Sequence, residues 1–167
     1  TDMRWQLDGT TLTGTAGVDD LDSLAARFDL TLDRLDLDAY LPPESEAAAD
    51  TEESELIPVE TIRELALDGR LRAGELVVSG LTLAGVDARV SARDGVLRLA
   101  PLTASLYGGA YRGSVTVDAT GATPALTLDQ SLSAVQIGQV LDSFFATDLV
   151  SGALTLKLAG TGTGNTV

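Results

Sequence analysis

The chain has 167 residues and a net charge of −14, with 44% hydrophobic and 4% aromatic residues, and it contains neither cysteine nor histidine. Without those two residue types, Ser-His-Asp catalysis, Cys-His catalysis and the usual zinc sites are excluded. The strong negative charge also disfavours nucleic-acid binding, because an acidic surface repels a phosphate backbone.

Alternation of apolar and polar residues predicts β-strands in residues 1–42, which we assign as a β segment. Apolar or small residues recur at every second position in residues 3–7, 12–16 and 28–32. The apolar phase then moves by one position to Leu35. A bulge or bend is needed at this point if the same face is to stay toward the core.

Residues 43–56 interrupt this pattern with proline, serine, alanine and acidic residues. Such a composition, without apolar periodicity, predicts an acidic linker or disordered loop. Pro58 then opens a short helix, since proline suits the first helical turn. Ile62 and Leu65 would lie on the buried side of that helix.

The main β-sheet region is predicted at residues 57–167, where alternation resumes. Turn signals such as Asp94-Gly95 and Gly108-Gly109 separate the runs and favour antiparallel hairpins. An apolar pattern of helical spacing begins at Ile137 and predicts a second short helix near residues 134–145. The expected fold is therefore mostly β, a large curved antiparallel sheet that forms an open groove or half-barrel, with two short helices.

Two groups of side chains could carry chemistry, but each has a simpler interpretation. Asp19, Asp20 and Asp22 could bind calcium or act as paired carboxylates on a glycoside, yet they are more typical of a capped loop. Tyr107 and Tyr111 flank a glycine turn, and we interpret them as an aromatic clamp across the hairpin rather than a binding site. We predict no catalytic residue, no metal site and no cofactor.

An ordered series of segments resembles the AsmA family. Residues 28–43 are similar to the segment that precedes an acidic or proline-rich insertion in that family, and residues 95–118 and 135–138 resemble its C-terminal conserved block. The resemblance implies a larger protein, truncated here at both ends, with an inner-membrane anchor and a periplasmic body. It also implies a part in outer-membrane biogenesis and a similarity to bridge-like lipid-transfer proteins, whose sheets form a hydrophobic groove.

The predicted sheet has more apolar side chains on one face than two short helices can cover, so this face must curl on itself or stay open for a ligand. With the resemblance, this predicts a non-enzymatic periplasmic module that binds acyl chains during lipid transport. The candidate lipid-facing residues are Val86, Ala88, Val90, Leu97, Leu99, Val115 and Val117.

Two alternatives stay open. For any one of these seven residues taken singly, ordinary core packing explains an inward apolar side chain better than contact with a ligand does. The whole chain could also be a structural or interaction module that modulates outer-membrane protein assembly, by binding envelope assembly proteins at a sheet edge.

Overall fold

The computed structural model describes residues 2–7, 10–20, 25–39, 59–138, 140 and 151–164. Within these residues the elements in chain order are β1 (Asp2–Leu7), β2 (Thr10–Asp20), β3 (Ala25–Asp36), α1 (Val59–Glu64), β4 (Ala66–Val78), β5 (Leu81–Arg93), β6 (Val96–Leu106), β7 (Gly109–Asp118), β8 (Ala125–Gln136) and β9 (Ala153–Thr163). The predicted linker at residues 43–56 lies outside the described part of the chain.

The nine described strands form one sheet whose spatial order is the chain order, from β1 at one edge to β9 at the other. The sheet is not closed, because β1 and β9 do not pair in the described ranges. Strands from residues 1–42 and from residues 57–167 therefore belong to the same sheet, which confirms the mostly β fold.

The sheet is mixed, and the prediction of a wholly antiparallel sheet is wrong at one pair of strands. β3 and β4 run parallel, with Leu30 opposite Leu71 and Leu32 opposite Ala73, while the other neighbouring strands are antiparallel. Parallel neighbours need a crossover connection of about a dozen residues or more. Residues 37–65, which include α1, provide that connection.

α1 is the one helix among the elements of the described chain, so the prediction of two short helices is wrong. The second helix was expected near residues 134–145, but β8 continues through Gln136. Val135 pairs there with Leu154 of β9, so the first residues of the predicted span belong to a strand. Within the predicted span the described backbone is helical at residues 137, 138 and 140, and residues 139 and 141–150 lie outside the described chain.

The phase shift predicted near Leu35 lies at the same level in three neighbouring strands, β3, β4 and β5. Leu32 pairs with Ala73 before the shift and Leu35 with Leu76 after it, in an unchanged register. The register between β4 and β5 is also unchanged here, since Ala73 pairs with Val86 and Glu75 with Ala84. Gly74 and Gly85 lie between these two pairs. Because neighbouring strands change phase at the same level, the apolar side chains stay on one face across the irregularity.

The opposite face of the sheet is polar and carries ion pairs between neighbouring strands. The Arg72 guanidinium lies 2.8 Å from Asp29, and a second guanidinium–carboxylate pair joins Arg70 to Asp87. The hydrogen bond from Arg70 lowers the pKa of Asp87, and the pKa of Arg70 is raised by the same contact. Exposed pairs of this kind add little stability individually, but they identify this side as the solvated face.

Candidate functional site on the apolar face

The seven predicted lipid-facing residues lie together on one face of β5, β6 and β7. The register places Val90 opposite Leu99, and Leu99 opposite Val115. Cross-strand partners share a face of the sheet, so these three side chains form one row across three strands. Leu97 and Val117 form the next row, and Val86 and Ala88 extend the patch along β5 at alternate positions.

The seven residues differ in how far they are covered. Val86, Ala88 and Val117 are buried, with exposed fractions of 5%, 4% and 8%. The other four, Val90, Leu97, Leu99 and Val115, are half-buried. Only these four therefore offer part of their apolar surface to a ligand without a change in packing.

The apolar face continues beyond this patch to both edges of the sheet. Trp5 is 67% exposed and lies opposite Leu12 of β2. At the other edge Leu156 and Leu158 of β9 are 48% and 58% exposed, and Leu156 lies opposite Leu132. Exposed apolar side chains gathered on one face are typical of a surface that contacts apolar ligands or partners.

α1 covers one end of this face. Its Val59 and Ile62 are buried, which confirms the predicted inward position of Ile62, whereas Leu65 is half-buried. Arg63 fixes the helix to the β7–β8 connection, because its Nε donates to the Ala119 carbonyl oxygen at 2.7 Å. The helix packs in a cluster of Val59, Ile62, Val117 and Ala119, bordered by Leu97 and Leu126.

A second apolar cluster lies further along the strands, around the buried side chains of Ala73, Val86 and Ala104. Tyr111 packs against it and lies opposite Ala104 and Leu132 in the register. Tyr107 is not opposite Tyr111, since it lies in the β6–β7 turn with a φ of 43°. The two tyrosines therefore do not form the directly facing cross-strand pair that a clamp requires.

One polar pair interrupts the apolar face. The Tyr111 hydroxyl donates to Oε1 of Gln130, and Nε2 of Gln130 donates to the Ser114 carbonyl oxygen at 3.1 Å. Burial raises the pKa of Tyr111. The sequence carries a signal for this site, because Gln130 occupies an apolar phase position between Leu128 and Leu132.

The polar face has its own open cleft of about 640 Å³, over β2 to β5. Arginine and aspartate side chains alternate along it, and Arg89 lies 3.3 Å from Asp68. Because positive and negative groups are matched, the cleft is typical of a solvated sheet face.

The described residues contain no group of three or more acidic side chains that could hold a metal ion. Asp19 and Asp20 end strand β2 and do not form the predicted loop; their side chains and Asp22 lie outside the described part. Among the described residues, no helix has the length and apolar character needed to cross a membrane.

A family model described as the AsmA family matches residues 2–167, and thus every strand of the sheet. No curated protein and no solved structure matches the chain. Because the family match extends over the whole sheet and over the segments in which the resemblance lies, the chain belongs to the AsmA family.

Proposed function

We propose that this chain is a non-enzymatic module that holds lipid acyl chains on the apolar face of its sheet during lipid transport in the cell envelope. The observation that carries the proposal is the continuity of that face. It extends from Trp5 in β1 to Leu158 in β9, and its side chains are exposed at both edges. AsmA-family membership supports a role related to the envelope and its lipids.

The mechanism would be passive. Each methylene group that moves from water onto an apolar surface is stabilised by about 0.8 kcal/mol. The buried part of the face contains mainly alanine and valine, and Leu106 is the one buried leucine in the described residues. Small aliphatic side chains impose no particular shape on an acyl chain, so the chain can slide.

The proposed location and lipid class rest on the family resemblance and not on the geometry of the sheet. The proposal places this module in the periplasm, as part of a longer protein anchored in the inner membrane, with phospholipid as its ligand. Membrane contact would be made by other parts of that protein.

A specific observation also favours an interaction module as a second function. β9 is an edge strand of eleven residues and nearly all of its residues are exposed. The unpaired side of an edge strand offers backbone N–H and C=O groups to an added strand. An envelope assembly protein could bind in this way.

Photo-crosslinking in cells tests the leading proposal. A photoreactive amino acid at Leu158, Val90 or Leu99 should capture phospholipid, whereas one at Lys157, Arg89 or Arg98 should not. Inward and outward positions differ by a single residue and point to opposite faces of the strand. Equal capture from both sets, or no capture from the inward set in folded protein, would contradict the proposal.

A further inference from the structure

The Tyr111–Gln130 pair occupies a specific place on the apolar face. Gln130 lies opposite Gly113 of β7 and opposite Leu158 of β9. A Cβ atom at residue 113 would lie 2.2 Å from Oε1 of Gln130 and 2.8 Å from the Tyr111 hydroxyl. Only glycine at this position leaves room for the two polar side chains to meet above the sheet.

The hydrogen bonds fix the orientation of the Gln130 amide. The Ser114 carbonyl oxygen can only accept a hydrogen bond, so Nε2 must face it. Oε1 then faces Tyr111, whose hydroxyl donates. A side-chain amide has two N–H groups on its nitrogen, and the second one on Gln130 has no partner among the described residues.

The surroundings of this amide are apolar and partly open. Gln130 is half-buried, while the facing Leu158 and its neighbour Leu156 are 58% and 48% exposed. Its neighbours on the same face of β7, β8 and β9 are Tyr111, Gly113, Val115, Leu128, Leu132, Leu156, Leu158 and Gly160. None of these described neighbours is charged.

We infer that Gln130, held by Tyr111 above Gly113, donates a hydrogen bond to the carbonyl oxygen of an ester-linked acyl chain whose methylene groups lie on Leu156 and Leu158. A single amide donor without a cation matches a neutral carbonyl better than a phosphate, which arginine or lysine side chains would recognise. This inference rests on the proposed function and adds to it a preference for acyl esters.

Calorimetry with two short-chain lipids tests the inference. Dihexanoyl-phosphatidylcholine has ester carbonyls, and its dihexyl ether analogue lacks them but keeps the same headgroup and chain length. We expect the wild-type chain to bind the ester about fivefold more tightly, as one neutral hydrogen bond allows. Gln130→Leu should bind both lipids equally, and Gln6→Leu, which makes the same change on the polar side of β1, should keep the preference.

The result separates this inference from the proposed function. Equal binding of ester and ether lipids by the wild-type chain overturns the role of Gln130 alone. A preference that persists in folded Gln130→Leu also overturns it, because the side chain would then be only structural. Binding of neither lipid would contradict the proposed function and this inference with it.

Discussion

The Phe28 ring of β3 lies directly against Gly69 of β4. A Cβ atom at residue 69 would lie 2.6 Å from three atoms of that ring. This contact joins the two parallel strands, and therefore the two parts of the sheet that the crossover connects. The aromatic ring covers the gap that glycine leaves on the apolar face.

Gly69→Val should lower the free energy of unfolding by about 1–3 kcal/mol, because the new side chain would force the Phe28 ring out of its position. Gly17→Val in β2 is the matched control, since a Cβ atom there meets nothing within 4 Å. We expect the control to change stability by about 0.5 kcal/mol or less. Urea denaturation measures both, and equal losses would contradict the contact.

Arg63 should be more important for α1 than its exposed position suggests. It donates to the carbonyl oxygens of Ala119 and Gly121, both at 2.7 Å. Arg63→Ala should cost about 1–3 kcal/mol of local stability, as expected for hydrogen bonds from a charged donor. Hydrogen exchange measures this effect. Compared with the wild-type chain, Arg63→Ala should speed amide exchange in α1 more than in β5.

Glu60→Gln is the control for that experiment. Glu60 contacts the same guanidinium, but its side chain is 80% exposed, and such surface pairs contribute little. If Glu60→Gln speeds exchange in α1 as much as Arg63→Ala does, the carbonyl contacts are not what holds the helix.

The free energy of unfolding should fall in acid, because the folded state favours the ionised form of three aspartate side chains. The pKa of Asp33 is lowered mainly by the backbone N–H of Thr11 at 2.8 Å, that of Asp87 by Arg70 and that of Asp118 by Thr120. A carboxyl group whose pKa is lower in the folded state stabilises the fold at pH values above its ordinary pKa of 3.8. This stabilisation is lost as the pH falls through the folded-state pKa.

Thermal unfolding between pH 6 and pH 2 measures this loss. Asp33→Asn should reduce the dependence of stability on pH below about pH 4, because one of the three carboxylates no longer titrates. A chain whose stability rises as the pH falls through this range would contradict the assignment.

The strands and their shared apolar face could be predicted from the sequence, because alternation is a local property. Val90, Leu99 and Val115 occupy the same phase in three successive runs, and the hairpin turns between them place them in one row. The parallel pairing of β3 with β4 could not be predicted in this way. It depends on where the chain returns after residues 37–65, and no local pattern specifies that.

Two other features depended on pairing between distant segments. Val135 falls inside the span predicted as a helix, residues 134–145, but strand pairing with Leu154 of β9 extends β8 through it. Gln130 stands alone as a polar residue in an apolar phase. Its role becomes visible only when the register brings Tyr111 and Gly113 beside it.

The central claim is that the exposed apolar face binds lipid. Native mass spectrometry of the chain purified from cells, with lipid extraction from the same sample, tests it most directly. The account predicts bound phospholipid on the wild-type chain and its loss in the double variant Leu156→Glu and Leu158→Glu. These side chains are exposed on an edge strand, so the charges should leave the fold intact. The double variant Thr155→Glu and Lys157→Glu, on the polar face of β9, should keep its lipid. A wild-type chain without lipid, or equal lipid on both folded variants, would contradict the account.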